Sequence, residues 1–306
     1  MVEQAIRKQG IRELLSVTGS DREAFLSRVS AERKTEIPYR TLIERADVGE
    51  WNIPDCRTLI LEPKNNAKGC GVLYLAGGAF MNPPRDRDYE LALKITEKTG
   101  CDVIFPLYPL FPEHSVNETA EAVLEVVKRM DARYPEGATG LIGFSSGATL
   151  ALYLFLELKR RHSFFRMPGR WILNSPVLRI PPDEADLRYM NILAPYDVIL
   201  PVVFLQPEGL TGLMMERTAP GFRRFADIPS RNLSGMPETD LYLGTREILY
   251  AYRNAFEQRC ETDAVPLHVH DGFGMMHCWG LISEMKEGRD TQKEYFDILN
   301  TLKPIQ

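Results

Sequence analysis

Strands alternating with helices predict an α/β protein with a mostly parallel sheet covered on both faces by helices. Two observations carry this reading. Short apolar runs (Gly71-Val-Leu-Tyr-Leu, Trp171-Ile-Leu-Asn, Asp240-Leu-Tyr-Leu and Leu267-His-Val-His) recur between stretches with helical spacing. The pentapeptide Gly143-Phe-Ser-Ser-Gly147 sits directly between one such run, ending at Leu141-Ile142, and an apolar helix from Ala148 to Leu158. A serine between glycines at a strand-to-helix junction occupies a sharp turn, where a side chain at either glycine would clash. That turn holds the Ser145 hydroxyl above the sheet edge, next to the start of a helix.

Composition narrows the class. A chain of 306 residues is long enough for a substantial core, as one large domain or two small ones. A net charge of −5 gives no reason to expect nucleic acid or an anionic membrane as partner. The five cysteines are widely spaced and form no C-x-x-C pair, so reduced thiols and a cytoplasmic setting are expected rather than disulfides or zinc. Met1 to Leu15 lacks the apolar centre of a secretory signal. The apolar run from Ile192 to Met215 is interrupted by Pro195, Asp197, Pro201, Pro207 and Glu208, so no membrane span is expected.

Taken in order, residues 1–35 read as a helical pair, the second opened by a Ser20-x-x-Glu23 capping box, which serves as a cap segment or covers a sheet edge. The remainder, 36–306, forms the main domain. Tyr39-Arg-Thr-Leu-Ile-Glu and Arg57-Thr-Leu-Ile-Leu-Glu are expected as antiparallel strands around a polar loop with Pro54. Gly71 to Leu75 is a buried strand ending in Ala76-Gly77-Gly78-Ala79. A helix over Tyr89–Thr99 follows, then a strand from Cys101 stopped by Pro106. Ser115-x-x-Glu118 is a second capping box, opening a helix with Ala120, Val123, Leu124 and Val127 on one face. The basic run Lys159 to His162 is a solvated helix end. The segment 181–237 interrupts the strand–helix rhythm and is expected to hold an inserted helical cap piece near the substrate site. Helices are expected at Glu247–Gln258 and Asp290–Leu302.

A serine hydroxyl needs a base, a group that orients the base, and donors for the oxyanion. Ser145 is the candidate nucleophile. On such a sheet the partners come later, in the order acid then histidine. Among the five histidines, His277 stands just past the last strand in a glycine-bracketed loop, and is the candidate base. His268 and His270 alternate on one strand face, but no third ligand accompanies them and no metal site is assigned. Glu247 follows the C-terminal end of a strand and is the candidate acid, whereas Asp240 lies at the start of that strand. As oxyanion donors, the backbone N–H of Ser146 and those of Gly77 and Gly78 fit, since a glycine pair lets amides approach a ligand closely. Met214, Met215, Phe80, Met275 and Met276 are candidates for an apolar acyl pocket or plain core. Glu113 and His114 read as a structural ion pair or hydrogen-bonded turn.

These segments together resemble the hormone-sensitive-lipase-like branch of the α/β-hydrolases, from about residue 60 to the C-terminus. The resemblance rests on Tyr74-Leu-Ala-Gly-Gly-Ala-Phe80, Leu107 to His114, Gly143 to Gly147, Gly244-Thr-Arg-Glu-Ile-Leu249 and Gly274-Met-Met-His-Cys-Trp279. It implies an eight-stranded, mostly parallel sheet with a helical cap. It also implies a carboxylesterase that acts without a cofactor on small-molecule esters with short acyl chains, and pairing into a homodimer through sheet edges or caps. The chain departs from the family pattern in three places. Ala76 and Ala79 flank the glycine pair where the family has His-Gly-Gly-Gly. Glu247 stands for the usual aspartate. Leu110 and Phe111 replace smaller residues. Two other readings compete: a peptidase or amidase on the same fold, and a non-catalytic ligand-binding protein of hydrolase fold.

Overall fold

The computed structural model describes residues 2–34, 36–223 and 226–303. Its centre is an eight-stranded sheet in the order β1-β2-β4-β3-β5-β6-β7-β8. The strands are β1 (Ala46–Ile53), β2 (Cys56–Pro63), β3 (Gly71–Leu75), β4 (Asp102–Leu107), β5 (Thr139–Phe144), β6 (Arg170–Asn174), β7 (Glu238–Gly244) and β8 (Leu267–Gly272). β2 runs antiparallel to both its neighbours, and every pairing from β4 through β8 is parallel. The C-terminal ends of β5, β7 and β8 therefore share one edge of the sheet, and the residues just past those ends form the site.

Helices cover both faces, and the strand sequences show why. Alternate residues of the central strands divide between two apolar clusters, Leu73, Leu141 and Leu173 into one and Val72, Ile142 and Ile172 into the other. Helices α6 (Val116–Arg133) and α7 (Ser146–Arg160) fill the first, and α5 (Asp86–Thr99) and α12 (Lys286–Leu299) the second. The apolar positions expected along α6 (Ala120, Val123, Leu124 and Val127) are all buried. Its first turn is capped by Glu118, which accepts from the Ser115 N–H at 2.7 Å.

Several expectations are corrected. Tyr39–Arg45 is a helix, not a strand: Pro38 precedes it, Leu42 alone is buried, and Arg45 reaches Glu90 and Glu97 of α5. The antiparallel partner of β2 is the polar stretch after it, β1, which as an edge strand buries little more than Trp51 and its ends. β4 continues through Pro106, because its parallel partner β3 is registered only with residues 102–104 and leaves that flank free. Ser20 has helical backbone angles and makes no side-chain cap, so the first capping box does not form. The basic run at the end of α7 is ion-paired rather than merely solvated, with Arg160 and Arg161 on Glu157 and Arg161 also on Glu121.

The first segment contributes α1 (Val2–Lys8), α2 (Ile11–Leu14) and α3 (Asp21–Glu32), while Thr35, at its expected boundary, lies outside the described residues. Between β6 and β7 come α8 (Glu184–Leu193), α9 (Leu210–Arg217) and α10 (Pro220–Arg223). Arg22 donates to the carbonyls of Pro207 and Gly209, which ties the two segments together over the sheet edge. Among the described residues no helix is long and apolar enough to cross a membrane.

Candidate active site

Ser145 has φ 50° and ψ −119°, a strained backbone for a residue with a Cβ. The strain is held from several sides. Its N–H donates to the Asn174 carbonyl at 2.8 Å. A Cβ at Gly147 would lie 2.1 Å from the Leu75 carbonyl oxygen, and one at Gly143 would lie 2.8 Å from the Ala148 Cα. Both glycines are thus required by close approach, and the turn lifts the hydroxyl toward the histidine loop.

Ser145 Oγ lies 2.9 Å from His277 Nε2, and His277 Nδ1 lies 2.6 Å from a Glu247 carboxylate oxygen. The carboxylate can only accept, so Nδ1 carries the ring proton and Nε2 accepts from the serine hydroxyl. Glu247 is fully buried and its other oxygen accepts from the Gly244 N–H at 2.7 Å and the Ser175 hydroxyl at 2.8 Å. Burial alone would push His277 down. The adjacent Cys278 and the Glu247 carboxylate outweigh burial and hold the ring well above its ordinary 6.5.

The two loops carrying these side chains are zipped to each other. The Arg246 N–H donates to the Met275 carbonyl, the Thr245 N–H to that of Gly272, and the Gly274 N–H to the Thr245 hydroxyl. A side chain on Gly244 would strike the Met275 carbonyl at 2.4 Å. Met275 is thereby committed to the loop, and Met276 is buried in the core below it; neither lines the apolar pocket beside Ser145, so of the two roles open to them these take the core one. Phe80, Met214 and Met215 do line it.

The glycine pair lies against the Ser145 turn. A Cβ on Gly77 would come within 3.4 Å of the Ser145 Cβ, and Gly78 has φ 125° with no room beside the Asn82 carbonyl. Among the described residues, no protein acceptor engages the N–H groups of Gly77, Gly78 or Ser146. The Tyr108 hydroxyl donates to the Ala76 carbonyl at 2.6 Å. The N–H groups of Met81 and Asn82 donate to the Gly78 carbonyl from the other side.

Sequence reasoning missed three supports. Ser175, at the end of β6 with φ 49°, donates to Glu247 and accepts from the Cys278 N–H, linking Glu247 to the residue after His277. A polar residue at a strand's C-terminal end, followed by Pro176, was its only local signal. Asp197 is buried and accepts from the N–H groups of Ile199, Leu200 and Ile248, the last being the neighbour of Glu247. Arg12 donates to the carbonyls of Ala194 and Asp197.

The remaining titratable candidates lie elsewhere. Glu113 pairs with Arg33 at 2.7 Å, and His114 takes part in a turn through its backbone. Asp240 pairs with Arg170 and His270, at the opposite end of β7 from Glu247. His268 pairs with Glu238, and among the described residues no group of three or more side chains could hold a metal ion.

Residues 72–281 match the sequence profile of the α/β-hydrolase fold. The chain belongs to that family. An esterase of Acinetobacter venetianus is 28% identical to this α/β-hydrolase over 215 residues, covering 68% of this chain and 69% of the relative. The fold is shared with an esterase from the bacterial hormone-sensitive lipase family (TM-score 0.76, 18% identity, 99% and 98% of the two chains covered). It is shared also with EstE5, studied after soaking with p-nitrophenyl butyrate (TM-score 0.72, 16% identity, 98% and 96% covered).

Proposed function

We propose that this α/β-hydrolase is a serine esterase that cleaves short-chain, acetyl-type carboxylic esters through an acyl-enzyme. The observation that carries the proposal is the unbroken hydrogen-bonded series Ser145–His277–Glu247. His277 Nε2 takes the hydroxyl proton as Ser145 Oγ bonds to the ester carbonyl carbon. The charge that collects on the carbonyl oxygen is received by the N–H groups of Gly77, Gly78 and Ser146; one such donor is worth ~2.7–4 kcal/mol in the transition state. The C–O bond to the alcohol then breaks, and the His277 proton goes to the departing oxygen. Water, deprotonated by the same nitrogen, releases the acid and restores Ser145. Glu247 keeps the ring in the required tautomer and favours its charged form.

The short acyl preference is supported by the small apolar pocket between α7 and α9. Phe80, Val116, Thr149, Tyr153, Phe204 and Met214 line a cavity of about 50 Å³ beside Ser145. Since a single water-sized group occupies roughly 10–15 Å³ of such space, the cavity admits a chain of about two to four carbons. The similarity to the Acinetobacter esterase supports ester over amide hydrolysis.

The test is a panel of 4-nitrophenyl esters from acetate to decanoate beside aminoacyl anilides, with the wild type and Ser145→Ala. We expect kcat/KM to be highest at acetate to butyrate and to drop on the order of tenfold or more by octanoate, because the extra methylenes find no room. Ser145→Ala should lose at least ~10³-fold in kcat and all labelling by a fluorophosphonate probe. A folded wild type that neither hydrolyses these esters nor takes up the probe would instead be a non-catalytic binder.

A further inference from the structure

A second cavity meets Ser145 from the other side, and it differs from the acyl pocket in size and in which catalytic group it touches. It measures about 220 Å³ against 50 Å³, and it is the cleft onto which His277, Gly77 and Gly78 face. Of the two, His277 lines the larger cleft. Because Nε2 must hand its proton to the departing oxygen, the alcohol part of the ester has to lie on the His277 side. The acyl part then lies on the other, along Ser146 and Thr149. The cleft's walls are mostly apolar: Ile6, Ile11 and Leu15 from the N-terminal segment, Ile199 from the inserted piece, and Leu281 and Ile282 from beyond the base. Of its polar groups, Gln9 and Arg85 are exposed, and the others are engaged. Arg87 is tied to Glu284 at 2.7 Å, Asp88 is buried against the Tyr74 hydroxyl, and the Asn82 amide is turned onto the Gly78 carbonyl.

Resting on the serine-esterase reading above, we infer that the physiological substrate joins a small acid to a bulky apolar alcohol. The N-terminal segment is the element that selects that alcohol. By the same roughly 10–15 Å³ per water-sized group, the larger cleft holds on the order of fifteen such groups. A sugar would bring most of its hydroxyls against the apolar part of the walls, where they find no partners, and unpaired buried hydroxyls are strongly disfavoured. A hydrocarbon or fused-ring alcohol removes apolar surface from water on both sides instead. The N-terminal segment is held in place for this role. Glu3 pairs with Arg246 at 3.0 Å, next to the acid-bearing residue, and Arg12 grips the turn after α8.

The experiment varies the alcohol alone. Ethyl, butyl and hexyl acetate have leaving groups of nearly equal basicity, so differences in kcat/KM, followed by acid release, report the cleft and not the chemistry. We expect hexyl acetate to exceed ethyl acetate by about tenfold or more, while the 4-nitrophenyl series shortens its optimum as above. Ile11→Trp and, from the opposite wall, Leu281→Trp should each compress the hexyl-to-ethyl ratio to about threefold or less. Two variants on separate elements guard against one that misfolds. A hexyl-to-ethyl ratio at or below one, or a ratio unmoved in both folded variants, overturns the alcohol assignment even where 4-nitrophenyl acetate is turned over through Ser145. Loss of the 4-nitrophenyl acetate activity itself would instead overturn the esterase reading on which this one rests.

Discussion

Glu247 is a longer side chain than the aspartate that the family resemblance implies at its place, and the residues around it show how the extra methylene is accommodated. The carboxylate turns back over its own loop, so that one oxygen takes the Gly244 N–H and the Ser175 hydroxyl while the other faces His277. Held in this way, it raises the imidazole against the opposing effect of burial. The sign of the pH dependence follows. As the proposed base, His277 acts only when neutral, so kcat/KM should fall on the acid side with an inflection above the usual histidine value. Glu247→Gln removes a group that raises the ring, and the inflection should move to lower pH. The amide also places an N–H against Nδ1 and disfavours the working tautomer, so kcat should fall on the order of 10³-fold or more. A pH–rate profile of both proteins checks this. An inflection that stays in place would mean that Glu247 does not set the charge of the ring.

At the scale of elements, the site is assembled by segments that converge from far apart in the chain, and Asp197 is where two of them meet. It caps the turn at residues 199–200 and, with its other oxygen, the N–H of Ile248. Asp197→Ala would leave those three N–H groups without an acceptor in a dry interior, at ~1–3 kcal/mol for each buried orphan. We expect a loss of about 3 kcal/mol or more in urea denaturation, together with a lower kcat as the Glu247 loop loosens. Unchanged stability would show that the turn finds other acceptors. Local pattern alone could never have revealed this residue. The parts of the molecule that were legible are those in which one segment states its own purpose. They are the glycine-bracketed serine between strand and helix, the one-sided apolar spacing of α6, and the histidine after the last strand. Tyr39–Arg45 is ambiguous in the sequence because its Leu42-Ile43 doublet suits a strand as well as a helix; in the helix Leu42 alone is buried and Arg45 reaches α5. β1 was missed because an edge strand with one solvated face need not look apolar. Ser175 and Tyr108 act on partners many residues away, and that kind of signal exists only after folding.

For the whole molecule, the question is whether residues 1–35 form an accessory piece that could be removed, as their position ahead of the sheet suggests. The packing argues for a single cooperative unit. Ile6 joins the cluster shared with α5 and α12, whereas Leu15, Phe25 and Leu26 join the one shared with α6 and α7, so the segment is built into both faces of the core. Each fully buried side chain of this kind contributes roughly 1.5–3 kcal/mol, so the four together represent roughly 6–12 kcal/mol as an upper figure. Typical domains are stable by only about 5–15 kcal/mol in total. Removing the segment also frees Arg246 from Glu3 and exposes the turn that Arg12 holds beside Asp197. The chain starting at residue 36 should therefore show no cooperative thermal transition, or one lowered by well over 10 °C, and should bind a hydrophobic dye where the full chain does not. A truncated protein that melts cooperatively within about 5 °C of the full chain would place the folding boundary at residue 35 and make the N-terminal helices a dispensable lid over a self-sufficient hydrolase core.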